Sequence, residues 1–314
     1  IDGEAAGDYS GQSVSLSSDG STLAIGAPYN DANGANSSGH VRIFEYDNGT
    51  WTQLGADIDG EALYDESGRS VSLSSDGSIL AIGAPGNDAY SGHVRIYENV
   101  SGTWTQLGAD IDGEAAGDYS GQSVSLSSDG SILAIGAPGN DAYSGHVRIY
   151  ENVSGTWTQL GADIDGEAAG DYSGRSVSLS SDGSTVAIGA PYNDGNGAYS
   201  GHVRIYENVS GTWTKIGADI DGEAAGDDSG QSVSLSLDGS TVAIGAPGND
   251  AYSGHVRIYE NVSGTWTKIG ADIDGEAAGD GSGYSVSLSS DGSTVAIGAP
   301  NNDGNGAYSG HVRI

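Results

Sequence analysis

The phrase Ile-Asp-Gly-Glu, broken only by small changes downstream, opens six near-copies of one sentence, at Ile1, Ile58, Ile111, Ile164, Ile220 and Ile273. Repetition at this period restricts the fold more than composition does. Each copy must be one supersecondary unit that buries its apolar face against its neighbours. The starts lie 57, 53, 53, 56 and 53 residues apart, and the differences fall in one stretch, between the proline of "GAP" and the histidine of "SGH". That stretch is longer at Pro28–His40, Pro191–His202 and Pro300–His311 than in the other copies. A segment that tolerates insertion is an exposed loop, and it is expected to hold no fixed ligand geometry in every copy.

Within the third copy, Ser123–Ser127 alternates Val124 and Leu126 against serine, the period-two pattern of a half-buried strand. Asp129-Gly130 is a hairpin signal, because glycine accepts positive φ. Ile132–Pro138 reads as a buried strand closed by proline, and His146–Glu151 and Thr156–Gly161 as two more. Four short antiparallel strands per copy predict a β-propeller blade. The expected fold is all-β: one repeat-built domain over 1–314, with six four-stranded blades. The sixth copy stops at Ile314, before its Thr-Trp strand, so the last blade is expected to lack its outer strand. An unpaired edge is a template for another chain, so either further residues of the protein close the blade or a protein partner or second copy supplies the strand. The chain has no methionine and starts at Ile1, so it reads as a piece of something longer.

The residues Ala134–Pro138, "AIGAP", recur in every copy, with equivalents ending at Pro28, Pro85, Pro191, Pro247 and Pro300. They resemble the GAP half of FG-GAP repeats, which build the integrin-α-like β-propeller. The resemblance implies that fold for nearly the whole chain. The family's Phe-Gly is Ser-Gly here (Ser120-Gly121), and its calcium loop of alternating aspartates is cut down to "SSDGS" around Asp129. That calcium site is therefore not carried over.

Forty-three acidic residues against 10 basic ones leave a formal charge of −33. Such a chain repels nucleic acid and anionic membranes and attracts cations or basic partners. There is no cysteine, hence no disulfide or thiolate site, and no apolar run long enough for membrane insertion. In an up-and-down blade, the loop after strand two (Asn140, Asp141) and the linker after strand four (Asp163, Asp165, Glu167, Asp171) emerge on one face. Hard cations take carboxylate oxygens from flexible loops, so Ca²⁺ is sought at Asp165, Glu167 and Asp171 and at the equivalent Asp112, Glu114 and Asp118. The competing reading is that Asp and Gly serve the turns themselves. On the opposite face, Asn99, Asn152, Asn208 and Asn261 open the N-x-S/T glycosylation acceptor. In the first copy the acceptor moves to Asn48-Gly49-Thr50, and Asn36-Ser37-Ser38 adds another.

Six histidines, always in "SGHVRI", are expected to be structural, since a catalytic histidine usually appears once. The arginine two residues later is expected to pair with an acidic neighbour. Five tryptophans are read as packing between outer strands, with sugar binding as the alternative. The serines lack the strand-to-helix elbow of a hydrolase nucleophile, so no enzyme activity is expected. Together these features predict a non-catalytic, glycosylated scaffold at the cell surface or outside the cell, used in adhesion or filament assembly. The alternative is a calcium-assisted module that binds a carbohydrate or protein ligand through its acidic face.

Overall fold

The computed structural model describes residues 1–31 and 34–314 as an all-β, six-bladed propeller. Helix is confined to single turns such as Asn87–Tyr90 and Asn249–Tyr252. Among the described residues, no helix is long and apolar enough to cross a membrane. Packing divides the chain into two compact units, residues 1–141 with 148–160, and residues 142–147 with 161–314.

The fourth copy, in the second unit, shows how the pattern becomes a sheet. Ser176–Leu179, Thr185–Ala190, His202–Val209 and Thr212–Lys215 pair antiparallel in sequence order. A fifth short strand, Ile220–Asp221, lies in what the sequence pattern assigned to the linker. The third strand is eight residues long and its outer partner only four. Its far half therefore pairs with Thr212–Lys215, and its near half is left to pair with Ile220–Asp221, His202 opposite Asp221. In the fifth copy one strand, Thr265–Asp274, does both. The sixth sheet has three strands and ends with His311–Arg313.

Successive blades meet through glycine. In the second unit, a Cβ on Gly189 of the "AIGAP" strand would strike the Gly230 carbonyl of the next copy. The same carbonyl accepts the Ser176 hydroxyl at 2.8 Å. In the first unit, Gly26, Ser13 and the Gly68 carbonyl repeat the arrangement. Ala187, Val203 and Ile205 of the fourth copy then pack with Val233 and Leu235 of the fifth. In the first unit, Ala24, Val41 and Ile43 do so with Val71 and Leu73. The serine in the position of the family's phenylalanine is wholly buried at Ser67, Ser120 and Ser173, and its hydroxyl finds no partner among the described residues.

Candidate metal-binding site

In the first, second, fourth and fifth copies three elements converge on one spot. The linker entering a blade supplies Glu, the first residue of strand three supplies His, and the residue just before the Ile-Asp strand supplies Asp. The first unit holds Glu4, His40 and Asp57, and Glu61, His93 and Asp110; the second holds Glu167, His202 and Asp219, and Glu223, His255 and Asp272. In each, one ligand atom per residue lies within 4.8 Å of the others. The imidazole is buried, the glutamate exposed and the aspartate between them. His40 Nδ1 is 3.8 Å from Glu4 Oε2, and His202 Nδ1 is 4.0 Å from Glu167 Oε2. Around the first cluster an acidic cavity of about 490 Å³ is open to solvent, lined by Glu4, Asp8, Asp31, His40 and Asp57 among others.

The arginine two residues after the histidine fixes the glutamate. Arg204 Nη1 stands 3.5 Å from Glu167 Oε1, while its Nη2 donates to the Asp165 carbonyl at 2.7 Å. Its guanidinium lies over the Tyr206 ring, 5.7 Å from the centroid. One glutamate oxygen is thus beside arginine and the other faces histidine. Burial, reinforced by Arg204, pushes His202 below the ordinary imidazole value; His93 and His255 shift the same way for the same reason. The neutral ring keeps a lone pair, as a metal ligand requires. The aspartates have different partners in the two units. Asp57 and Asp110 accept from the amides of Gln53 and Gln106, both at 2.5 Å. Asp219 and Asp272 accept from the ammonium groups of Lys215 and Lys268, at 2.5 and 2.7 Å.

Of the predicted carboxylates, Glu167 joins a cluster, but with His202 and Asp219 rather than with Asp165 and Asp171. Asp171 is buried and accepts from Asn193 Nδ2 at 2.9 Å and the Ala168 amide at 3.1 Å. Asp118 is buried likewise and accepts from the Ala115 amide at 2.8 Å. Asp165 and Asp112 sit in the short fifth strands, with their carbonyls committed to Arg204 and Arg148. Glu114 approaches Arg148 at 3.8 Å. The proposed triplets therefore divide: the chain pairing of Ile164–Asp165 removes one member and the asparagine of a neighbouring loop draws in another. Histidine, read from sequence as purely structural, is the group at the centre. Its place at the start of strand three, on the same face as both acidic loops, was the usable signal.

The "SSDGS" aspartates act as turn caps. Asp129 Oδ1 receives the Ser127 and Ser131 hydroxyls at 2.8 and 2.7 Å and the Ser131 amide at 2.9 Å. Serine hydrogen bonds hold the equivalent Asp19 and Asp291 down at about 2. At the hairpin tips, Oδ1 of Asn99, Asn152, Asn208 and Asn261 accepts the amide three residues on, each at 2.8 Å. Asn48 instead donates through Nδ2 to Asp47 at 2.8 Å. Asn36 is exposed, but Ser38 of its acceptor motif is wholly buried. Trp104 and Trp157 donate to the Leu54 and Leu107 carbonyls of the preceding copy, at 3.2 and 3.1 Å, and pack there.

A family model for the FG-GAP repeat matches residues 2–44 and 163–206. The chain carries FG-GAP repeats. No curated protein matches it. Among solved structures, this propeller is similar to a periplasmic gluconolactonase of Pseudomonas aeruginosa, with TM-score 0.64 and 18% identity over 93% of this chain and 78% of that one. A putative 6-phosphogluconolactonase of Bacteroides uniformis gives TM-score 0.65 and 14% identity over 93% and 79%. A protein of Lactobacillus plantarum gives 0.67 and 15% over 96% and 81%. At these identities the likeness is one of fold. It nevertheless corrects two expectations. One of these similar structures is a gluconolactonase and another a putative 6-phosphogluconolactonase, so the non-catalytic adhesion or filament scaffold has no support from the architecture. For the same reason, the exclusion of enzyme activity is withdrawn.

Proposed function

We propose that this FG-GAP propeller binds divalent transition-metal ions at its Glu–His–Asp clusters. The observation that carries the reading is a buried imidazole facing two carboxylates, built the same way twice in each unit. Calcium takes six to eight hard oxygen ligands, whereas imidazole suits zinc and its neighbours, so the ligand set favours Zn²⁺ over Ca²⁺. Calorimetric titration with Zn²⁺, Mn²⁺ and Ca²⁺ in turn tests this. Zinc should bind with at least four equivalents per chain, and a variant with asparagine at His40, His93, His202 and His255 should lose them. Equal zinc binding by that variant would overturn the reading.

A second reading is hydrolytic. The similar fold of the gluconolactonase and of the putative 6-phosphogluconolactonase supports it. So does the exposed glutamate of each cluster, which leaves the site open to solvent. Bound metal would supply Lewis-acid chemistry there. Hydrolysis of gluconolactone by the wild-type chain but not by the histidine variant, with and without added metal, decides between binding and catalysis. An extracellular location belongs to the same proposal. The FG-GAP match and the solvent-facing hairpin tips with their acceptor motifs support it, and fractionation of the native source tests it.

A further inference from the structure

Four tyrosines of the second unit meet ring to ring on the loops of the acidic face. Tyr143 stacks on Tyr172, with centroids 5.0 Å apart and planes 18° apart. Tyr172 and Tyr192 meet edge to face at 5.0 Å and 83°, and Tyr192 and Tyr199 at 5.5 Å and 81°. Core packing does not account for the group: Tyr143 is 43% and Tyr199 57% exposed. Nor does the backbone favour it. Tyr143, Tyr172 and Tyr199 have φ of 65°, 57° and 57°, a left-handed region that is unfavourable for a bulky side chain. The sixth copy shows that the fold does without these rings. Gly281 stands where Tyr172 does, Asn301 where Tyr192 does, and Tyr308 is left 78% exposed, with no ring contact among the described residues. The left-handed φ belongs to the loop, since Tyr308 shares it at 53°, whereas the contact of four rings does not recur in the sixth copy, where glycine takes the place of Tyr172.

We propose that Tyr143, Tyr172, Tyr192 and Tyr199 receive a cationic group, an ammonium or guanidinium presented by a basic partner. Aromatic faces carry negative quadrupole density, and the perpendicular steps from Tyr172 to Tyr192 and from Tyr192 to Tyr199 turn ring faces in different directions, which suits a compact charge better than the flat platform on which a sugar stacks. The charge balance agrees: 43 acidic residues against 10 basic ones make the whole surface attractive to a cation. Asp194, exposed in the same loop, takes the Tyr199 amide on Oδ1 at 2.9 Å and adds a carboxylate beside the rings. This inference is independent of the metal clusters.

The test is titration of the whole chain with choline and with its uncharged isostere 3,3-dimethyl-1-butanol, followed by tyrosine fluorescence at low and high salt. Choline should bind about tenfold more tightly than the isostere and weaken as salt rises. Tyr172→Gly, which installs the residue of the sixth copy, should abolish choline binding while circular dichroism and Tm stay near wild type. Tyr308→Ala should leave it unchanged. Equal binding of choline and the isostere would overturn the proposal, and so would choline binding retained by Tyr172→Gly. Tighter binding of a methyl glycoside than of choline would show a carbohydrate platform instead and would equally overturn it.

Discussion

The candidate metal clusters of the two units share Glu, His and Asp and differ in what holds the aspartate. In the first unit it is the neutral amide of Gln53 or Gln106; in the second it is the ammonium of Lys215 or Lys268. With a neutral histidine, Glu, Asp and the neighbouring Arg leave a first-unit cluster with one net negative charge. The lysine cancels that charge in the second unit. An incoming cation meets an attractive site in one case, and in the other must displace a bound ammonium. One sequence grammar thus yields sites of two charges, set by single neighbours.

The largest effect expected concerns the frame that holds the clusters. Gly189→Ala places a methyl group against the Gly230 backbone carbonyl, whereas Gly298→Ala, in the sixth copy, meets only the Ser285 side chain nearby. Denaturant unfolding should show a loss of about 3 kcal/mol for the first and about 1 kcal/mol or less for the second. Equal losses would mean that the blade contact at Gly230 is looser than its geometry indicates.

Next in size is the contrast between the units. Gln106→Lys should weaken zinc binding at the Glu61–His93–Asp110 cluster by about tenfold, roughly 1.4 kcal/mol. Lys215→Gln should strengthen it at Glu167–His202–Asp219 by a similar factor. Calorimetry in which neither variant moves the affinity would remove charge as the reason for the difference.

The blade pattern itself was legible, because period-two runs such as Ser123–Leu126 and the Asp129-Gly130 turn encode strand and hairpin locally. The GAP glycine was legible as a motif, and the Gly189–Gly230 approach gives its physical reason. The cluster was not. Asp165, Glu167 and Asp171 are neighbours in sequence, yet Asp171 is drawn inward by Asn193, 22 residues away, while Glu167 meets His202 and Asp219, still further along the chain. Such groupings depend on the pairing of Ile164–Asp165 with strand three, which a linker-like sequence gives no reason to expect.

Two smaller effects sharpen the comparison between copies. Asp228 stands where the fourth copy has Tyr172, and burial beside Asp227 pushes its carboxyl up to about 6. Between roughly pH 4 and 6 the folded chain keeps a proton that the unfolded chain releases, so stability falls as pH rises through that window. Asp228→Asn, which tolerates the same φ of 54°, should raise stability at pH 8 by about 1 kcal/mol, allowing for solvent screening, and should have little effect at pH 4. A gain that is the same at both pH values would contradict this account. Smallest is Ser173→Ala. Removing a buried hydroxyl without a partner should leave stability unchanged or raise it by up to about 1 kcal/mol, as read from Tm. A clear loss would show that the hydroxyl is bonded.

The central claim is that imidazole and carboxylate from one cluster hold the same ion. X-ray absorption at the zinc edge of the zinc-loaded chain addresses it directly. The structure predicts a mixed first shell of nitrogen and oxygen at about 2.0–2.1 Å with the outer-shell scattering of imidazole. That scattering should be lost in the variant with asparagine at His40, His93, His202 and His255. An all-oxygen shell, unchanged in the variant, would show that zinc sits on surface carboxylates and that the histidines are structural after all.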